Sequence, residues 1–268
     1  MKGRVLIVAG SDSGGGAGIQ ADIKTVTALG GYAATAITAL TAQDTIGVHG
    51  VCPVPIEFIQ QQMQVVLDDI GADCIKTGML HNSDVIDAVT DTIEQHAVDI
   101  PVVVDPVMVA KGGASLLDPD ATSALKSRIL KAATVITPNL PEAEVLTGMT
   151  IATLDDMTRA GEALLDMGAR AVVLKGGHLP GAQVHDVLIT PDGHDVFSAP
   201  RMETVHTHGT GCTMASALAT GIAQGLSLHD ALARALSYVH EAIRNAPGYG
   251  SGHGPIDHGH TIRPFMAG

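Results

Sequence analysis

A cysteine stands where backbone amides converge. Thr207-His208-Gly209-Thr210-Gly211-Cys212-Thr213 runs straight into the small-residue stretch MASALATGIAQG. Two glycines bracketing Thr210 let successive N–H groups point one way, which makes an anion hole at a helix start. Cys212 falls in the first turn, where the helix dipole draws a thiol towards thiolate. Such a thiolate takes a proton from a substrate hydroxyl while the amides of Gly209, Thr210 and Gly211 hold the transferring phosphoryl group. A free cysteine is more often a small buried hydrophobe, and Cys52 and Cys74 are read that way. For Cys212 the glycine context favours chemistry.

A second segment, Gly10–Asp22 (GSDSGGGAGIQAD), lies between a strand and a helix. Neither Lys nor Arg occurs between Arg4 and Lys24, so the GxxxxGK[ST] P-loop is excluded. A dinucleotide fingerprint survives only as Gly16-Ala17-Gly18-Ile19-Gln20-Ala21, and Asp44 comes too late to serve the ribose. What remains is a tight βα turn at the carboxyl end of a strand, a place where ligands bind. The third group sits at other strand ends: Asp105 in VVVDPVM, Asn139 and Glu142 in TPNLPEAE, and Lys175 in VVLKGGH. Taken singly, Asp105 is a turn residue before Pro106 and Glu142 a helix-start acid. Together, at one edge of one sheet, they suit Mg²⁺ and phosphates, with Lys175 as a point cation between them.

The elements that must position these residues alternate. Strands are expected at Val5–Ala9, Ala34–Leu40, Cys74–Thr77, Val102–Asp105, Val135–Thr137 and Ala171–Lys175, most of them apolar on both faces. Helices are expected near Ala17–Leu29, Pro55–Asp69, Ser83–Gln95, Asp120–Leu130, Leu154–Met167, Gly211–Gln224 and Leu228–Asn245. Between Val184 and Val205 a PDG turn signal separates two strands of an antiparallel hairpin. The pattern is an α/β fold with a mostly parallel sheet flanked by helices, in a single domain over residues 1–268. The Gly/His-rich stretch Gly248–His260 is expected to be irregular.

Composition narrows the partners. The chain carries a formal charge of −13 with no Lys/Arg cluster, which disfavours nucleic acid. Only 2% of residues are aromatic against 46% hydrophobic, so the core is aliphatic. The opening MKGRVLIVAG reads as a buried strand rather than a leader, and no apolar run approaches a membrane span. Three widely spaced cysteines argue for a reducing compartment and a cytoplasmic protein. Of the histidines only His253, His258 and His260 cluster, at a spacing that matches no metal-ligand pattern.

These residues resemble a known family. The GTGC segment Gly209–Cys212 is similar to the anion-hole signature of the ribokinase superfamily, most of which has Asp where Cys212 stands; the vitamin-kinase branch that phosphorylates hydroxymethylpyrimidine carries Cys. Gly10–Asp22, Thr38–Gln43, Lys76–Leu80, Asp105–Lys111, Thr137–Ala143 and Gly252–His258 resemble that branch in the expected order over essentially the whole chain. The resemblance implies a ribokinase-like three-layer sandwich and ATP/Mg²⁺-dependent phosphorylation of 4-amino-5-hydroxymethyl-2-methylpyrimidine and then of its monophosphate, in thiamine biosynthesis, by a homodimer. On matching positions it assigns Gln43 to the aminopyrimidine, Gly10, Ala17, Met79 and Val107 to the pocket, and Cys212 to the base. Asn139, Glu142, Lys175 and Gly209–Gly211 fall to ATP and its metal, with Asp105 a further metal candidate. Gly14 and Thr41 depart from the usual Ser and apolar residue. Pyridoxal kinase is the nearest rival; a non-catalytic nucleotide-binding protein and an NAD-dependent oxidoreductase are more distant.

Overall fold

Alternation along the first strand sets up the layers. In β1 (Arg4–Asp12), Leu6 and Val8 join one apolar cluster while Val5, Ile7 and Ala9 join another, all at 1% exposure or less. A strand buried on both faces must lie in the middle of a sheet covered by helices on each side. The computed structural model describes residues 1–110, 113, 116–118 and 120–262. In it α1 (Gly18–Ala28) follows β1, and β2 (Tyr32–Gln43), β3 (Val48–Pro53), α2 (Ile56–Asp69), β4 (Cys74–Thr77), α3 (Ser83–His96) and β5 (Val102–Val104) come next. α4 (Ala121–Ala124) passes through a π-helical turn at Leu125–Ile129 into α5 (Leu130–Ala132). Then come β6 (Val135–Ile136), α6 (Leu140–Thr147), α7 (Leu154–Asp166), β7 (Val172–Leu174), β8 (Gln183–Thr190), β9 (Gly193–Pro200), α8 (Thr210–Ala223) and α9 (Leu228–Arg244).

The strands form one nine-stranded sheet in the order β3-β2-β1-β4-β5-β6-β7-β8-β9. β2, β1, β4, β5, β6 and β7 are parallel, and β3, β8 and β9 add antiparallel edges. Residues from α2 to α7 pack on one face, with Ile59, Ile86, Ile129, Leu146 and Met157 fully buried. α1, α8 and α9 cover the other, where Val26, Leu218 and Leu232 are equally buried. This is the expected three-layer α/β sandwich with its hairpin.

Two elements were not anticipated. β3 is an edge strand whose residues are mostly exposed, so it lacks the apolar run that marks a central strand. α6 spans only eight residues and begins with Pro141 in its first turn, which reads as loop in sequence. The helix expected at Asp120–Leu130 instead occupies Ala121–Ala132 with the π turn inside it. Lys111, the last residue of one motif, lies outside the described residues.

The Gly/His-rich segment is irregular but docked. His253 N donates to Thr45 O at 2.8 Å and Tyr238 OH to His258 O at 2.5 Å. His258 Nε2 is 3.0 Å from Thr213 Oγ1, and Pro255 bridges to His208. Residues 252–258 thereby close over the start of α8.

Candidate active site

Loops leaving the carboxyl ends of β1, β4, β5 and β7 face the start of α8 across a cleft of about 1180 Å³. Every candidate named from the sequence lies on its wall: Gly10, Ala17, Gln43, Met79 and Val107, and Asp105, Asn139, Glu142 and Lys175. Gly209, Thr210, Gly211 and Cys212 line it too, with Gly209 against Gly16 and Ala17 and Gly211 near Lys175 and Asp105. Carboxyl edges of parallel sheets are where such ligand sites form.

Asp12 organises the first loop. Its Oδ1 accepts Gly14 N–H at 2.8 Å, and its Oδ2 accepts Gly16 N–H at 3.1 Å and Ala17 N–H at 2.8 Å. His208 Nε2 approaches the same Oδ2 at 2.9 Å. Burial opposes the Asp12 charge, but His208 and the amides outweigh it and hold the carboxyl below its ordinary value. Glycine is obligatory where the loop meets α8. Gly209 has φ +83°, and a Cβ there would sit 1.7 Å from Gly16 O. The chain therefore brings two backbones together where a side chain would separate them.

Gln43 lines the cleft with Gly10 and Met79. It lies where the β2–β3 register shifts, a bulge that re-aims a side chain. Its backbone is fastened to Ser13 Oγ at 2.8 and 2.9 Å. Thr41 Oγ1 is 3.0 Å from Ser11 O and 3.2 Å from Gln43 Oε1, so this departure from an apolar residue places a polar partner beside the amide. Gly10 leaves room for Met79, whose Sδ would lie 3.0 Å from a Cβ at that position.

At the start of α8 Gly209 is the left-handed cap and no side chain caps the helix. Thr210 N–H bonds Thr207 O at 3.3 Å, so the Gly211 and Cys212 N–H groups are the first-turn donors left for a ligand in the cleft they line. Cys212 sits in that turn, as expected, but its thiol is not drawn down to thiolate. Burial pushes it up to about 12; Lys76 and the Gly18 amide pull the other way, and Asp22 and Asp105 reinforce burial. Desolvation of a sulfur anion exceeds what one helix dipole returns here.

Lys175 Nζ stands 3.0 Å from Asp105 Oδ1, and both lie near Gly211, where a Cβ would come within 3.2 Å of the ammonium and 3.8 Å of Asp105 Oδ2. Asn139 and Glu142 form a capping box at the start of α6. Glu142 is the acid in the first turn of α6, as expected of it taken singly. It is also buried beside like charge: desolvation raises its carboxyl to about 7, Lys175 lowers it and Asp105 raises it.

Sequence reasoning missed a buried Lys76–Asp22 pair next to Cys212. Its signal was a lysine inside the apolar strand Cys74-Ile75-Lys76-Thr77, a charge that such a strand does not admit without a partner. It also missed the far wall of the cleft, which α9 and β9 supply through residues such as Leu236, His240 and Phe197.

This build, with an open helix start in place of a P-loop, is that of ribokinase-like small-molecule kinases. The phosphomethylpyrimidine kinase family profile matches residues 12–257. The chain is 50% identical over 256 residues to the hydroxymethylpyrimidine/phosphomethylpyrimidine kinase of Bacillus subtilis (strain 168), covering 95% of this chain and 94% of that one. It superposes with a TM-score of 0.90 and 38% identity on a pyridoxal kinase of Bacillus subtilis solved as an ADP complex, over 96% of this chain and 98% of the other. A phosphomethylpyrimidine kinase of Clostridium difficile 630 gives a TM-score of 0.80 at 39% identity, over 90% and 100%. The chain belongs to the phosphomethylpyrimidine kinase family.

Proposed function

We infer that this kinase transfers the γ-phosphoryl group of ATP to the hydroxymethyl oxygen of hydroxymethylpyrimidine, and then phosphorylates the resulting monophosphate for thiamine assembly. The observation that carries the reading is that Cys212 and the first turn of α8 line one cleft with Gln43, Met79 and Lys175, Gly209 lying against Gly16 and Gly211 beside Lys175. A flat heterocycle needs apolar walls and one amide to read its polar edge, which Met79, Val107 and Gln43 supply. Cys212, in the thiolate form that Lys76 and the Gly18 amide favour against burial, takes the proton of the substrate hydroxyl as that oxygen bonds to phosphorus. The bridging O–P bond breaks, and ADP leaves with that electron pair. First-turn amides and Lys175 hold the charge that spreads over the equatorial oxygens.

Two buried carboxylates that repel each other suit a hard divalent cation, which Mg²⁺ satisfies with few protein ligands and several waters. Glu142 and Asp105 would hold it, and when bound it offsets phosphate charge. Asn139 positions Glu142 through the capping box.

Superposition on a pyridoxal kinase at TM-score 0.90 supports a second reading, pyridoxal as the acceptor. ADP formation from Mg-ATP with hydroxymethylpyrimidine, its monophosphate and pyridoxal in turn separates the two. Turnover on both pyrimidines and little on pyridoxal supports the first reading; turnover on pyridoxal alone replaces it with the second.

No helix among the described residues is long and apolar enough to cross a membrane, and its three cysteines are free. Free thiols fit a cytoplasmic enzyme. Exposed Leu40, Val51 and Phe58, on and beside the β3 edge, fit a homodimer, which sedimentation would test.

A further inference from the structure

One buried ion pair has no task in the chemistry above. Lys76 and Asp22 are both fully buried, with Nζ 3.0 and 2.9 Å from the two carboxylate oxygens. Aliphatic side chains of similar size would serve packing at least as well, because taking two charges out of water costs most of what their attraction returns.

The pair is placed by alternation and by helix periodicity. Lys76 shares a strand face with Cys74, which packs in the α1–α8 layer. Asp22 comes from α1, and Ser216 of α8 donates to its Oδ1 at 2.6 Å. Ser216 follows Cys212 by four residues, so both lie on the same face of α8 one turn apart. The lysine lies under the cleft wall against Gly78, where a Cβ would come within 3.1 Å of Nζ.

We propose that Lys76, oriented by Asp22 and Ser216, is the counter-charge of the Cys212 thiolate and therefore a positioning residue for the base. This rests on Cys212 being the base. The ammonium keeps its own proton throughout; the thiolate receives the substrate's. The charged groups acting on Cys212 are Lys76 from β4, Asp22 from α1, Asp105 after β5 and Lys175 after β7, with the Gly18 amide as a further donor. Glu142 of α6 acts on Lys175 and Asp105. Both lysines favour the thiolate, and both aspartates oppose it.

The pairing makes opposite predictions for its two members. In a Cys52→Ser background, which removes the exposed thiol, the pH midpoint of Cys212 alkylation by iodoacetamide is followed by mass spectrometry. Lys76→Met is expected to raise that midpoint by about one pH unit or more, and Asp22→Asn to lower it. The rise of kcat with pH that forms the thiolate should move with each, while the pyrimidine KM stays within about twofold. If Lys76→Met does not fold, Asp22→Asn alone and the double variant Lys76→Met/Asp22→Leu decide. The double variant should lie nearer wild type than Lys76→Met does. Midpoints that stay put, or move the same way in folded single variants, overturn the proposal, since a purely structural pair lowers melting temperature without moving a thiol titration. Undiminished turnover in Cys212→Ala would remove the base reading instead, and the alkylation midpoints would still report whether Lys76 and Cys212 are coupled.

Discussion

Asn139 and Glu142 cap one another: Asn139 Oδ1 accepts the Glu142 N–H at 2.9 Å, and Glu142 Oε2 accepts the Asn139 N–H at 2.8 Å. The geometry holds a buried carboxyl beside Asp105, with Lys175 as the neighbouring cation.

That burial gives Glu142 an inverted effect on stability. Its carboxyl rises from 4.5 unfolded to about 7 folded. The folded state therefore binds more protons across this window, and its contribution falls as pH rises through about 7. Glu142→Gln keeps the cap but removes the titration. Denaturant melts at about pH 5 and about pH 8 should show the wild type losing on the order of 2 kcal/mol relative to the variant. Parallel curves would contradict this account.

Cys212→Ala and Cys212→Ser should both lose roughly 10²–10⁴-fold in turnover, the usual worth of a general base. Pyrimidine binding, followed by calorimetry, should persist. Wild-type rates in Cys212→Ala would end the base assignment.

Gln43→Leu removes an amide from the cleft wall that Gly10 and Met79 also line. The expected result is a loss of roughly 10–10³-fold in kcat/KM for the pyrimidine with KM for ATP unchanged, as buried polar groups lose their partner. Equal loss for both substrates would mean that the change disturbs the cleft as a whole.

Gly209→Ala places a Cβ against Gly16 O at a φ of +83°. The backbone strain alone costs about 1–3 kcal/mol, and relief requires α8 to retreat from the loop. The variant should melt lower and lose kcat together; a variant with normal stability and rate would show that the two backbones need not meet.

The central strands were legible because β1 and β5 are apolar on both faces, and the hairpin because PDG separates two alternating runs. The candidate residues were legible because each occupies a strand end or helix start, positions that parallel topology brings to one edge. β3 was not, since an exposed edge strand leaves no hydrophobic pattern. Leu236 and His240 look like any residues of an amphipathic helix until α9 is packed against the sheet. The state of Cys212 was misjudged for a related reason. A dipole is visible in sequence, whereas the desolvation that outweighs it depends on what α1 and β4 place around the sulfur.

The docking of residues 252–258 also bears on how the protein is made. Asp12 emerges from the ribosome early, yet His208, which grips it, and Pro255, which backs His208, follow some two hundred residues later. For most of synthesis the Gly14–Gly18 loop has neither partner. Contacts this distant in sequence form late and slowly. The nascent kinase therefore completes its sheet before its active centre, so a stalled or prematurely released chain would be folded in part but catalytically inert.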